Sequence, residues 1–156
     1  MDTSVTIIGL FITLLIAIPL FFAMRSNTVN KNKIKAIQKK ISQENNMTFE
    51  IMETLNKKVV LFDAKNKGFM LIDTNKKEEI VNFIDLKTVQ SCNLISTKND
   101  ATVSKIEIEF KHKNDKPATF ISFYKIQNDQ MNQICLYEDQ KLAEKWNGIL
   151  QECISK

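Results

Sequence analysis

Residues Val103–His112 read VSKIEIEFKH and contain the most regular hydrophobic alternation in the chain. Ile106, Ile108 and Phe110 occupy every second position, and the residues around them are mostly charged. Because successive side chains of a β-strand point to opposite faces of a sheet, this pattern predicts a strand with one buried and one solvated face. The part of the chain around it is therefore predicted to be rich in β-structure.

On both sides of this strand, short runs of β-forming residues alternate with polar turns. They predict further strands at 58–64, 69–73, 79–84, 87–96 and 118–126, about six in total with 103–112. Their connections are short, which favours antiparallel pairing of neighbours. We expect a turn at 66–68, where Gly68 would supply a positive φ. The lead-in at 48–55 stays unassigned.

The C-terminal segment changes to a helical period. Between Tyr137 and Ile154, the apolar residues Leu142, Trp146 and Leu150 recur at a spacing of four, with polar residues between them. This predicts an amphipathic helix whose tryptophan-centred face must be buried. The expected fold class is a soluble α+β domain over residues 48–156, an antiparallel β-sandwich or barrel capped by the C-terminal helix.

The N-terminal segment is of a different kind. Val5–Met24 is an uninterrupted run of 20 residues without a charged side chain. A helix of this length spans about 30 Å, the thickness of the hydrocarbon core of a bilayer. We therefore predict a transmembrane anchor in residues 1–24. A cleaved signal peptide is the alternative, but the only charge before the run is Asp2, and small residues before a cleavage point are poorly spaced.

Charges beside the apolar run predict its orientation. One acid precedes the run, and no acid follows it until Glu44, whereas six basic residues lie in the linker at 25–47. The positive-inside rule places this basic side in the cytoplasm, with the N-terminus outside. The same residues are candidate contacts for anionic lipids, the alternative being that they only set the topology: Arg25, Lys31, Lys33, Lys35, Lys39 and Lys40.

The linker also contains Ile34, Ile37 and Ile41 at a spacing of three and four residues. Such a stripe is compatible with a helix lying on the membrane surface, with a self-association seam, or with a spacer helix or loose linker. Three isoleucines are too few for a stable coiled coil. Whether the linker is helical stays open at this stage.

The overall composition excludes several function classes. The chain carries a net charge of +4, but residues 44–156 contain 16 lysines against 17 acids. A nearly neutral domain argues against nucleic-acid binding. The three cysteines, Cys92, Cys135 and Cys153, are odd in number and widely spaced, so neither a disulfide scaffold nor a zinc site is expected. Free thiols suit a reducing cytosol.

We find no sequence motif for catalysis or for a cofactor. His112 is the single histidine, and neither Cys92 nor Cys135 has a histidine close in sequence to activate it. We therefore expect a protein that is not an enzyme and binds no cofactor or metal. Four lysines of the first hairpin, Lys57, Lys58, Lys65 and Lys67, leave phosphoinositide binding as a minor alternative.

A run of antiparallel strands closed by one amphipathic helix resembles the pleckstrin-homology-like fold, with the AEKW segment at 143–146 similar to its capping helix. The chain is also similar, over about two-thirds of its length, to a group of uncharacterised bacterial membrane-anchored proteins with such a domain. The shared segments are NNMTF at 45–49, FDAKNK at 62–67, FIDL at 83–86, KIEI at 105–108 and KP at 116–117. The resemblance implies a fold of seven strands, the seventh being supplied by 48–55, and no particular activity.

These observations predict a non-enzymatic binding or adaptor module that presents its domain to another protein at the cytoplasmic face of the cell membrane. A pilin-like or secretion-system subunit is the alternative, because an apolar N-terminal helix followed by a sheet is also the layout of pilins. The processing site and early glutamate of pilins are missing from this sequence.

Overall fold

The computed structural model describes residue 13 and residues 31–75, 79–114, 116–129 and 133–155. The chain divides between Asn45 and Asn46 into two compact units. In the first unit, residues 31–45 form helix α1, so this part of the linker is helical. Among the described residues, no helix has both the length and the apolar character needed to cross a membrane. The predicted anchor lies outside the described residues except for Thr13.

The second unit is an α+β domain built from two antiparallel sheets and a C-terminal helix. The first sheet has the order β1-β2-β3-β4 and the second the order β5-β6-β7. The elements are β1 Glu50–Leu55, β2 Lys58–Asp63, β3 Gly68–Asp73, β4 Ile80–Asp85, a 3-10 turn Leu86–Thr88, β5 Val89–Asn99, β6 Thr102–His112, β7 Thr119–Lys125, a 3-10 turn Ile126–Asn128 and α2 Leu136–Ser155. The predicted α+β class and terminal helix are confirmed.

The lead-in segment forms β1, which brings the described strands to seven. Asn56 and Lys57 join β1 to β2, and both have a positive φ, of 46° and 61°. This geometry matches the right-handed twist of a two-residue hairpin. The register of β1 against β2 shifts between Ile51 and Glu53. Such a bulge interrupts the alternation of buried and exposed side chains, which is why the sequence pattern was uninformative there.

The core lies where α2 packs on both sheets. Trp146 is buried, with its ring centroid 5.7 Å from that of Phe62 on β2 and 5.8 Å from that of Phe69 on β3. Its indole nitrogen donates a hydrogen bond to the Glu53 carboxylate at 3.2 Å. Leu142 and Leu150, one turn away on either side, are also buried. The predicted burial of the tryptophan face is confirmed.

The strand β6 follows its predicted alternation in part. Ile106, Ile108 and Phe110 are fully buried, as expected, and Lys111 is exposed. Glu107 is also buried, at 8% exposure, where its carboxylate lies 2.7 Å from the Lys105 ammonium. The opposite face of this strand is therefore only partly solvated.

The turn between β2 and β3 corrects the expectation for Gly68. The positive φ of this turn, 57°, belongs to Lys67, and no described glycine has one. Gly68 begins β3, and a Cβ atom there would collide with the Met47 sulfur and lie 3.0 Å from the Phe49 ring. This position therefore needs a glycine because the chain entering the domain packs directly over its backbone.

Candidate functional site

The predicted lipid contacts lie on helix α1, except for Arg25, which is outside the described residues. With about 100° between successive residues of a helix, the lysines fall on both flanks of the isoleucine stripe. One flank carries Lys31, Lys35 and Lys39, and the other carries Lys33 and Lys40; all five are exposed. The isoleucines between the two flanks, Ile34, Ile37 and Ile41, are partly buried. A cationic helix with this distribution can lie along an anionic surface.

Lys40 lies close to an acid of the same helix. Its ammonium lies 4.0 Å from the Glu44 carboxylate, one helical turn away, and both side chains are more than half exposed. Such an exposed ion pair contributes little to stability and leaves the ammonium group accessible to solvent. Helix α1 therefore keeps its basic character in spite of Glu44.

The structure separates the four lysines of the first hairpin. Lys57 and Lys58 lie at one end of β2, and Lys65 and Lys67 follow its other end, with five residue steps or about 17 Å of strand between Lys58 and Asp63. Lys58 is also buried, with its ammonium 2.8 Å from the Asp139 carboxylate. These lysines cannot grip one headgroup together, so the structure does not support phosphoinositide binding at this hairpin.

Instead, Lys58 belongs to a buried polar cluster that joins β2 to the first turn of α2. The side chains of Lys58 and Asp139 are 6% and 2% exposed. Asn56 donates hydrogen bonds of 3.1 Å to Asp139 and to Glu138. Glu138 and Asp139 lie in the first turn of α2, where acids interact favourably with the helix dipole.

Around this ion pair, Asp73, Tyr124 and Asp129 line a small cavity of about 30 Å³. A cavity of this size holds one or two water molecules and no metabolite. Burial raises the pKa of the Asp139 carboxyl, although hydrogen bonding and charge from Lys58 act in the opposite direction. Burial first, and then the carboxylates of Asp129 and Asp139, raise the pKa of the Tyr124 hydroxyl. The cluster therefore ties the helix to the sheet and lacks the space of an active site.

Cys92 and Cys135 lie in environments that suppress the thiolate form. Cys92 is buried, and burial raises its pKa to about 11. Burial also raises the pKa of Cys135, with the carboxylates of Asp129 and Asp139 adding to the effect. A nucleophilic cysteine needs the opposite shift. Both residues are therefore protonated near neutral pH.

His112 bridges two threonines at one end of the second sheet. Its Nε2 lies 2.9 Å from the Thr119 hydroxyl and its Nδ1 3.4 Å from the Thr88 hydroxyl. These contacts connect the end of β6 to β7 and to the turn before β5. Within the described part of the chain, no group of three or more histidine, cysteine or acidic side chains is placed to hold a metal ion.

The structure also brings together lysines that the sequence gave no reason to group. Lys65, Lys87 and Lys113 come from three different turns, and all three are exposed. The backbone nitrogen of Leu86 donates to the Lys67 carbonyl at 2.9 Å, and that of Lys113 donates to the Thr88 carbonyl at 2.9 Å. These bonds place the three turns at one end of the domain. No local motif signals this grouping, because it depends on the pairing of the strands.

Comparison with protein-family models, with curated proteins and with solved structures finds no match. A function for this protein therefore has to be inferred from its own residues.

Proposed function

We propose that the chain is a single-pass membrane protein that presents a pleckstrin-homology-like domain to a protein partner at the cytoplasmic face of the cell membrane, without catalysing a reaction. The observation that carries this proposal is the apolar run Val5–Met24 followed by a basic segment without an acid until Glu44. The exposure of the lysines on α1 supports it, since they are available to an anionic membrane surface.

Two properties of the domain support the finer assignment of its fold. The resemblance implies seven antiparallel strands and a capping C-terminal helix, and the described domain has seven antiparallel strands in two sheets with α2 over the core. The lead-in supplies the seventh strand as β1. A binding role is supported by the protonated Cys92 and Cys135 and by a polar cavity too small for a substrate.

The outer strands of the two sheets offer surfaces for a protein partner. β1 and β4 are the edges of the first sheet, and β5 and β7 those of the second. Large apolar side chains are exposed on three of these strands, at Met52, Ile80 and Phe120, with exposures of 52%, 36% and 48%. Edge strands can accept an added strand, and exposed apolar side chains beside them can provide specificity.

Membrane topology tests the anchor and its orientation. We expect a fluorescent reporter fused after Lys156 to be active in the cytoplasm, and a phosphatase that works only outside the cytoplasm to be inactive there. Replacing the six basic residues of the linker by glutamine should increase the outward-facing fraction, because the positive charge that retains this side is removed. The matched control replaces six lysines of the domain, which lie farther from the apolar run.

Phosphatase activity of the unaltered chain would contradict the cytoplasmic assignment and favour the pilin-like alternative. Intact-mass measurement on the membrane fraction provides the second criterion. A mature chain that begins after Met24 would exclude the anchor. Partner binding is tested by crosslinking and capture from solubilised membranes, and repeated recovery of the chain alone would count against an adaptor role.

A further inference from the structure

The chain enters the domain at the end where its turns are most basic. Met47 and Phe49 pack over Gly68, and the Thr48 backbone nitrogen donates to the Asp63 carboxylate. We call this the entry end. It comprises the turn at 64–67, the 3-10 turn Leu86–Thr88 and the described residues of the turn at 113–118, together with the neighbouring end of β6.

Six lysines lie at the entry end, five exposed and Lys67 half-buried: Lys65, Lys67, Lys87, Lys111, Lys113 and Lys116. Five acids belong to the same end by strand register or by sequence, Glu50, Asp63, Asp85, Glu109 and Asp115, so that one positive charge remains.

Three of these acids point their carboxylates at the protein. Asp63 is buried and accepts hydrogen bonds from the backbone and side-chain nitrogens of Asn66, at 2.9 and 2.7 Å. Burial alone would raise the pKa of Asp63, but these bonds hold it below the usual value. Asp85 accepts a bond from the Lys87 backbone nitrogen at 3.0 Å, and Glu109 lies 3.8 Å from the Lys111 ammonium. Among the described charged residues of the entry end, most of the exposed ones are therefore lysines, with Glu50 as an exposed acid beside Lys65.

At the opposite end of the domain, the described lysines and acids are nearly balanced in number. The backbone nitrogen of Thr74 donates to the Lys57 carbonyl at 2.9 Å there, which brings the β1–β2 and β3–β4 connections together. The lysines described at this end are Lys57, buried Lys58, Lys98, Lys105 and Lys125, and the acids are Asp73, Glu79, Asp100, Asp129, Glu138 and Asp139. The small excess of lysines over acids is therefore found at the entry end and not at the opposite end.

We infer that the entry end docks on the anionic headgroups of the membrane that holds the chain, which rests on the proposed anchor. The entry point ties this end of the domain to the segment that leads from the membrane, and tethering raises its effective concentration at the lipid surface. Exposed lysines are flexible point charges, suited to a fluid layer of phosphates, and each adds to the attraction within a Debye length. An acidic protein or a nucleic acid is the competing ligand for such a surface.

Acetylation of the lysines of the full chain in lipid nanodiscs tests whether the entry end docks on the headgroups. Discs of phosphatidylcholine alone are compared with discs that also contain phosphatidylglycerol, and the reaction rate of each lysine is measured by peptide mass spectrometry. We expect Lys65, Lys87 and Lys113 to react about threefold or more slowly in the anionic discs, because they are held at the headgroups. Lys57 and Lys98 at the opposite end should react equally fast in the two kinds of disc. High salt should abolish the slower reaction of the entry-end lysines in the anionic discs.

Two triple variants provide matched controls of equal charge change. In K65Q/K87Q/K113Q, the remaining entry-end lysines should lose their protection in anionic discs. In K57Q/K98Q/K125Q, the protection should persist.

The outcomes separate this inference from the proposed function. If the chain does not incorporate into discs, the anchor itself is wrong. If it incorporates but the lysines of both ends react alike in anionic and neutral discs, the docking inference is overturned while the anchor stands. Protection of the entry end only by an added acidic polypeptide or by DNA would also overturn it and assign the surface to that ligand.

Discussion

Replacing Lys58 by methionine should strongly destabilise the domain. Methionine keeps most of the length of the side chain and removes its charge, which leaves Asp139 buried at 2% side-chain exposure with Asn56 as its remaining hydrogen-bond donor. Asp73 and Asp129 line the same cavity and add negative charge. Breaking a buried ion pair on one side costs about 3–5 kcal/mol. Since domains of this size are stable by about 5–15 kcal/mol, the loss is a large fraction of the total.

Trp146 provides the measurement, because it is the only tryptophan in the chain and lies buried in the core. Its fluorescence during urea unfolding of the full chain in detergent reports on the domain alone. With a slope of about 1.5 kcal/mol per M, the midpoint of K58M should fall by roughly 2–3 M. Lys141 and Glu144 form an exposed pair at 3.0 Å, and K141M is the control that should leave the midpoint unchanged.

The loss of stability in K58M should depend on pH, and the pKa of Asp139 gives the sign of this dependence. Burial raises the pKa of the Asp139 carboxyl, and loss of Lys58 should raise it further. A carboxyl with a raised pKa in the folded state favours folding when protonated and loses that contribution as the pH rises through the folded pKa. The deficit of K58M against the unaltered protein should therefore be largest at neutral pH and above, and shrink as the pH falls.

A double-mutant cycle with D139N completes the test. Because K58M/D139N buries no unpaired charge, its free energy of unfolding should fall by less than the sum of the decreases in the two single variants, the difference being at least about 2 kcal/mol. Two results would refute the interpretation of Lys58 and Asp139 as a buried, energetically coupled ion pair. One is a urea midpoint of K58M equal to that of the unaltered protein, and the other is a double variant in which the losses of stability of the two single variants simply add.

Three further predictions use the same chain. G68A should destabilise the domain by about 1–3 kcal/mol, because the added methyl group meets Met47 and the Phe49 ring, as shown by a lower urea midpoint. G148A should stabilise it by roughly 0.5–1 kcal/mol, since this glycine lies within α2 with open space around its Cβ position. A lower midpoint for G148A would contradict this prediction, and a midpoint of G68A that is not lowered would contradict the other. In the native protein, maleimide should label half-buried Cys153 before buried Cys92, whose pKa is about 11; peptide mass spectrometry decides the order.

Local patterns were sufficient for much of the fold. The alternation at 103–112 and the spacing of Leu142, Trp146 and Leu150 each reflect the contact of one element with a core, so periodicity alone predicts them. The pattern failed at β1, where the bulge between Ile51 and Glu53 shifts the register. It also misplaced the positive φ of the β2–β3 turn, because the need for Gly68 arises from Met47 and Phe49 packing over it.

The candidate binding surfaces also differ in whether the sequence alone predicts them. The basic segment beside the apolar run is contiguous in sequence, so its charge, and the prediction that it lies next to a membrane, come from the sequence by itself. Which lysines of the domain are buried, separated or gathered was decided only by the tertiary structure. Lys58 and Asp139 are 81 positions apart, and Lys65, Lys87 and Lys113 come from three separate turns. Charges so distant along the chain meet only through strand register and helix docking, which depend on the packing of the whole core.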